Sequence, residues 1–226
     1  MPAVLFVFTS ANKTLTGGQT GWYLPEAAHP YYIVAPHADI DFASPGGPNP
    51  PVDEGSVKNY AHDEDSVKFL EDEVVKTKFA TAKKLSEVDP HKYDAIFYVG
   101  GHGPVLDLAK DPVNIQLASR FFQAGKIVSA VCHGPAAILS ATDGTGKPIW
   151  DGRKFTGFSN AEEAAAGSEA SIPFLLETEI TKVGGVYEKA PELWGAKVVV
   201  DGKLITGQNP ASAAPLGREL VAALKA

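Results

Sequence analysis

The chain has 226 residues, 44% of them hydrophobic and 21% charged, with a formal net charge of −7 from 20 Lys and Arg against 27 Asp and Glu. That length supports one sizeable α/β domain, at most with a small lobe, and an acidic balance with no basic cluster argues against nucleic acid or an anionic membrane as partner. The single cysteine excludes an internal disulfide and points to a reducing, cytoplasmic compartment, while the N-terminal apolar run lacks the positive start of a signal peptide and is too short to cross a bilayer.

Ala3 to Thr9 reads as a first buried strand that runs out into the polar, glycine-bearing loop Ser10 to Gly21. Loops at the carboxyl ends of parallel strands are where α/β proteins place ligands. In Trp22-Tyr23-Leu24-Pro25-Glu26-Ala27-Ala28-His29-Pro30, Pro25 and Glu26 suit a helix start and Pro30 predicts that the helix is short. Glu26 has two readings: a solvated first-turn carboxylate, or a buried acid whose raised pKa lets it hold or exchange a proton near neutrality. Tyr32 to Ala35 predicts a second strand, Asp39 to Ser44 a short third one, and Pro45 to Pro51 a loop. Asp53 to His62 is polar and reads as irregular. From Ser66 to Val88, Val67, Leu70, Val74, Val75, Phe79 and Ala82 recur at helical spacing, which predicts one or two amphipathic helices with a solvated face.

Tyr93 to Val99 predicts the next buried strand, ending in Gly100-Gly101-His102-Gly103-Pro104. Glycines directly after a strand let the backbone approach a bound atom and present its N–H groups; a tight turn without a ligand is the equal alternative, and His102 reads as no more than a loop residue. Val113 to Ala124 predicts a helix closed by Gly125. Ile127 to Val131 then reads as a strand buried on both faces, followed by a turn at Gly134 and a helix opened by Pro135 and carried on by Ala136 to Leu139. Cys132 thus falls at a turn before a helix N-terminus, whose field favours thiolate, the nucleophilic form; inert packing is the alternative.

Downstream, Thr142 to Pro148 reads as a surface turn, Lys154 to Gly157 as a strand, Phe158 to Glu163 as its exit loop and Pro173 to Ile180 as a helix. Val186 to Trp194 reads as a connector, Val198 to Thr206 as a hairpin turning at Asp201-Gly202, and Ala214 to Leu224 as the last helix. A cysteine–histidine pair needs a third group to orient the imidazole, best a carboxylate, and spacing does not say which one. The chain lacks His-Glu-x-x-His, Cys-x-x-Cys and a helix-opening Gly-x-Gly-x-x-Gly, so neither a metal nor a nucleotide cofactor has positive support.

Ala130-Val131-Cys132-His133-Gly134-Pro135, with its Ala-rich apolar continuation, resembles the nucleophile elbow of the ThiJ/PfpI superfamily, whose fold is that of the class I glutamine amidotransferases. The Cys-His-Gly-Pro form resembles in particular its branch of stress chaperones and glutathione-independent glyoxalases. Trp22 to Pro30, Gly100 to Gly103, Thr156 to Ser159 and Leu204 to Ser212 are also similar to segments of that family. The resemblance implies an α/β, flavodoxin-like sandwich with a mostly parallel central sheet, helices on both faces and a small cap or insertion at about residues 45–65. It implies Cys132 as nucleophile, His133 as its base, Glu26 in contact with the cysteine, and Glu163 as third triad member with Glu162 as competitor. It further implies an oxyanion hole made by the backbone amides of Gly100, Gly101 and His133. The reaction implied is conversion of methylglyoxal and related 2-oxoaldehydes to D-lactate or the matching 2-hydroxy acid through a cysteine hemithioacetal, without cofactor. The rival activities are a holdase for unfolded client proteins, a cysteine redox sensor, and a peptidase or amidase. Relatives commonly dimerise, which implies a homodimer. The segment Thr181 to Trp194 departs from the branch, which leaves substrate range open.

Overall fold

The computed structural model describes all 226 residues. Its strands are β1 (Ala3–Val7), β2 (Asp39–Ser44), β3 (Lys83–Lys84), β4 (Ala95–Tyr98), β5 (Ile127–Val131), β6 (Lys154–Phe155), β7 (Val186–Tyr187), β8 (Val198–Asp201) and β9 (Leu204–Gly207). Its helices are α1 (Leu24–Val34), α2 (Glu54–Asn59), α3 (Glu64–Glu71), α4 (Glu73–Ala80), α5 (Gly103–Leu106), α6 (Pro112–Gln123), α7 (Asn160–Ala166), α8 (Leu176–Lys182) and α9 (Ala213–Lys225).

Seven strands form one sheet in the order β3-β2-β1-β4-β5-β9-β8, parallel throughout except for the β8–β9 hairpin at one edge. β6 and β7 form a separate parallel pair. β4 and β5 are buried along their whole length and carry no polar alternation, because a parallel sheet has helices on both faces. α1 and α9 pack together over one face, and α6 covers β4 and β5 from the other. The α1–α9 contact depends on Gly217, where a Cβ would come within 3.1 Å of Pro30 Cα and 3.3 Å of the Ile33 side chain. One continuous cluster of 52 buried residues runs through these layers. No helix is long and apolar enough to cross a membrane.

Chain order reverses between β1 and β4, since β2 and β3 extend the sheet on one side of β1 and β4 and β5 on the other. In α/β sheets the crevice at the carboxyl ends of strands flanking such a reversal is the usual ligand site. Here the segments leaving β1, β4 and β5 all meet at that end.

Several elements differ from the sequence expectation. Tyr32 to Val34 belongs to α1, and no strand forms there. Tyr31 and Val34 fall on the same face as Ala27, and packing against α9 holds the helix through Pro30, which lacks the N–H that would have bonded the Glu26 carbonyl. Asp53 to His62 is not irregular, because the Asp53 carboxylate accepts from Ser56 N–H at 2.8 Å and starts α2. The region from Ser66 is two helices, within the one or two that its spacing predicts and broken where Asp72 caps α4, but the buried face differs: Phe69 and Val75 are buried while Val67 and Val74 are exposed. Phe69 joins an aromatic cluster with Trp22, Tyr31, Phe42 and Phe79, a partner set that periodicity cannot reveal. Glu162 and Glu163 lie in the first turn of α7 and not in a loop, and the supposed connector after Val186 contributes β7.

The helix expected after Cys132 is a five-residue 3-10 turn, Gly134–Ile138. Asn114 Nδ2 donates to the Ala137 carbonyl at 2.7 Å and to the Leu108 carbonyl at 2.9 Å, taking an acceptor that a continuing α-helix would use. Asn114→Ala should therefore lower unfolding free energy by about 2 kcal/mol, because buried carbonyls lose their donor. For a chain of this size the melting temperature should fall by about 4–8 °C, with the urea m-value unchanged.

Candidate active site

Cys132 leaves β5 with φ 60°, one of three non-glycine residues at positive φ. A side chain at this angle is strained, and the conformation persists only where neighbours impose it. Here Cys132 N–H donates to the Gly207 carbonyl and Phe158 N–H donates to the Cys132 carbonyl, each at 2.9 Å. Two glycines make room for the turn. A Cβ on Gly134 would lie 2.5 Å from the Tyr98 carbonyl oxygen, and one on Gly100 would lie 2.2 Å from Glu26 Oε2 and 2.7 Å from Cys132 Cβ.

Behind the cysteine, Cys132 Sγ lies 3.4 Å from His133 Nδ1, and His133 Nε2 lies 2.6 Å from Glu163 Oε2. The Phe158 ring packs against the imidazole at a centroid distance of 4.5 Å and fixes its plane. Burial works against a charge on Glu163, but hydrogen bonds from His102, His133 and Ser168 outweigh it and hold the carboxyl well below the usual range. Burial likewise lowers the His133 pKa; Glu163 opposes this and His102 adds to it, so the neutral imidazole prevails. An ionised Glu163 accepts from Nε2–H, which leaves the Nδ1 lone pair facing the sulfur.

Glu162 points elsewhere. Its carboxylate accepts from Ser159 N–H and Oγ, Gln208 Nε2 and Asn209 Nδ2, at 2.7–3.0 Å, and no imidazole reaches it. It completes a capping box at the start of α7 and ties that helix to the loop after β9.

In front of the cysteine, Glu26 is fully buried and neither carboxyl oxygen has a hydrogen-bond partner. Burial pushes its pKa up to about 8, tempered by the neighbouring Cys132 thiol. The thiol is itself raised, by burial first and then by charge on Glu26, with the Gly101 N–H opposing both shifts. This corrects the expectation that a helix N-terminus holds Cys132 as thiolate. A five-residue 3-10 turn supplies little dipole, and the thiol of a cysteine only 4% exposed loses more by desolvation than it gains. Tyr23 and Tyr60, with ring centroids 5.9 Å apart, stand near this pair, and burial together with charge on Glu26 and Cys132 raises both phenols.

The amides of Gly100 and His133 donate to no protein acceptor, and that of Gly101 turns toward Cys132 and Glu26. Gly101 requires its φ of 95°, and a Cβ there would meet the Gly21 carbonyl at 2.3 Å.

His102 is the site residue that sequence reasoning passed over. Its Nε2 lies 3.0 Å from Glu163 Oε1, where Ser168 Oγ also donates, and its ring centroid is 4.6 Å from that of His133. Strand register held the signal, because Tyr98 pairs with Ala130 and residues 100–102 therefore emerge beside 132–134. His102, His133 and Glu163 each offer one ligand atom, and these atoms lie within 4.8 Å of one another, a set that could hold a metal ion. Ser168 and Tyr60 gave no comparable signal.

Comparison with known proteins bears on the whole chain. The Glyoxalase 3 of Candida albicans is 32% identical over 237 aligned residues, covering 100% of this chain and 99% of the relative. The glutathione-independent glyoxalase HSP31 of Saccharomyces cerevisiae is 31% identical, with 98% of each chain covered. The crystal structure of glyoxalase III from Candida albicans superposes with a TM-score of 0.89 at 29% identity, over 98% of this chain and 97% of that one. The model of the DJ-1/PfpI family matches residues 54–223. With that match over well over half its length, the chain belongs to the DJ-1/PfpI family.

Proposed function

We propose that this protein is a glutathione-independent glyoxalase that converts methylglyoxal and related 2-oxoaldehydes to D-lactate or the matching 2-hydroxy acid. The observation that carries this reading is the pair of opposed acid–base groups on one sulfur: a neutral imidazole anchored by Glu163 on one side, and the buried Glu26 carboxyl on the other. Full-length relatives named as glyoxalases of this kind support it.

Sulfur attacks the aldehyde carbon as the thiol proton passes to His133 Nδ1, 3.4 Å away, so no resting thiolate is needed. The developing oxyanion is met by the amides of Gly100, Gly101 and His133, each such donor being worth about 3 kcal/mol to a tetrahedral oxyanion. Proton transfer to that oxygen gives a hemithioacetal. His133 then takes the hydrogen from the former aldehyde carbon, and Glu26, protonated near neutrality, supplies a proton to the neighbouring carbonyl oxygen to give an enediol. His133 returns the proton to the second carbon while the hydroxyl on the first gives its proton back to Glu26, which yields a thioester, and water releases the 2-hydroxy acid and the thiol. Residues 45–65 act as the cap, with α2 bringing Tyr60 against Tyr23 beside the reacting groups.

Cys132→Ala should abolish lactate formation from methylglyoxal in the absence of added thiol. Glu163→Gln should lower kcat by on the order of 10²–10⁴-fold, as replacing the orienting carboxylate of a triad does. Glu162→Gln should stay within about tenfold of wild type and lose stability instead, through weakened α7 capping. Equal losses in the two glutamine variants would overturn the assignment of the carboxylate.

Glu26 gives a pH test with a definite sign. Its folded pKa of about 8 lies above that of an unfolded glutamate, so the native state holds the extra proton between the ordinary carboxylate range and about 8. Stability conferred by the protonated carboxyl is complete below that window and is lost as pH rises through it. Urea unfolding from about pH 5 to about pH 9 should show wild type losing stability relative to Glu26→Gln, and parallel curves would refute a buried, proton-holding Glu26.

A further inference from the structure

We propose that His102, His133 and Glu163 form an inhibitory Zn²⁺ site, so that the carboxylate anchoring the catalytic imidazole doubles as a metal ligand. Two imidazole nitrogens and a carboxylate are the donor set that suits zinc, and these three converge within 4.8 Å. Donors around tetrahedral zinc stand about 3.4 Å apart. Each Glu163 oxygen faces one imidazole, Oε2 at 2.6 Å from His133 Nε2 and Oε1 at 3.0 Å from His102 Nε2, and small side-chain shifts open either separation toward that value. Both histidines present Nε2, so neither ring has to flip.

The surroundings favour the ion. His133 and Glu163 are each 2% exposed, so these two donors are shielded from competing water. His102 has a side chain 24% exposed and forms the open edge through which an ion enters. Ser168 Oγ donates to Glu163 and holds the carboxylate in place, and the Phe158 ring backs His133. The remaining coordination position is filled by water.

Binding stops catalysis through the tautomer. In the metal-free site the His133 proton sits on Nε2, bonded to Glu163, and the Nδ1 lone pair faces Cys132 Sγ. Zinc takes the Nε2 lone pair, so the ring proton moves to Nδ1 and no proton is lost overall. The nitrogen facing the sulfur is then a donor and cannot accept the thiol proton. The inhibitory consequence rests on the glyoxalase reading, whereas binding itself does not.

The test is a calorimetric titration of the full chain with zinc chloride in wild type, Cys132→Ala and His102→Ala. Cys132→Ala should bind one equivalent with wild-type affinity, and His102→Ala should bind at least about tenfold more weakly. Zinc should also block lactate production by wild type, with recovery on adding a chelator. Loss of binding in Cys132→Ala would make the thiol the ligand and overturn the proposal, as would unchanged affinity in His102→Ala. Should His102→Ala fail to fold, the Co²⁺ complex of wild type decides: visible d–d bands without a thiolate-to-cobalt charge-transfer band support the site, and such a band overturns it. If wild type binds zinc at the histidines but makes no lactate even when freed of zinc by the chelator, the glyoxalase reading fails while the metal site stands.

Discussion

A cysteine held at φ 60° is the constraint on which the rest of this structure turns. Left to itself the residue would relax toward the ordinary β or α regions, and holding it costs about 1–3 kcal/mol. Hydrogen bonds at both of its backbone polar groups hold it, one from the loop that follows β6 and one to the last residue of β9. The elbow thus exists because β5 lies beside β9 and the loop leaving β6 reaches back to it, and both contacts fix where the sulfur points. Gly100 and Gly134 are consequences of the same geometry, since any side chain at either would enter the space occupied by Glu26 or the β4 carbonyl.

Around that sulfur the protein sets two glutamates in opposite states. Glu26 has no neighbouring cation, and the Cys132 thiol and Gly101 N–H beside it do not offset its burial, so the proton stays on it. Glu163 is buried almost as deeply but receives two imidazoles and a hydroxyl, so it stays ionised. Solvation, replaced in one case and simply removed in the other, divides the acid from the anion. A thiol that is protonated at rest fits this arrangement. A permanent thiolate beside a carboxylate in a dry site would face repulsion, while a thiol that ionises only as it bonds to carbon avoids it. His102 extends the same logic, because a second imidazole on Glu163 both strengthens the anchor and creates a place where a cation would sit.

The fold was legible wherever burial alone governs sequence. β1, β4 and β5 are apolar runs because both of their faces are covered, and α6 and α9 show plain amphipathic spacing with recognisable ends. Reading failed where a distant partner decides. Tyr32 to Val34 has the composition of a strand but lies against α9, and the residues after Pro135 have the composition of a helix but lose a carbonyl to Asn114. Helical spacing picks out Val67, which is exposed, and passes by Phe69, which is buried, because the aromatic cluster around Phe69 draws on residues from Trp22 to Phe79.

The sequence by itself determined which chemistry was available: one cysteine at the end of a buried strand, a histidine beside it, glycines at the matching end of another strand, and acidic residues in apolar surroundings. These are local facts, carried by residue type and by neighbours within a few positions. Tertiary structure alone decided which groups meet and in what protonation state. Glu162 and Glu163 are adjacent in the chain, and only the helix phase of α7 turns one toward Gln208 and Asn209 and the other toward His133. His102 became part of the site through the register of β4 on β5. The expected thiolate gave way to a thiol because desolvation depends on everything that surrounds an atom, and a sequence records only what is next to it along the chain.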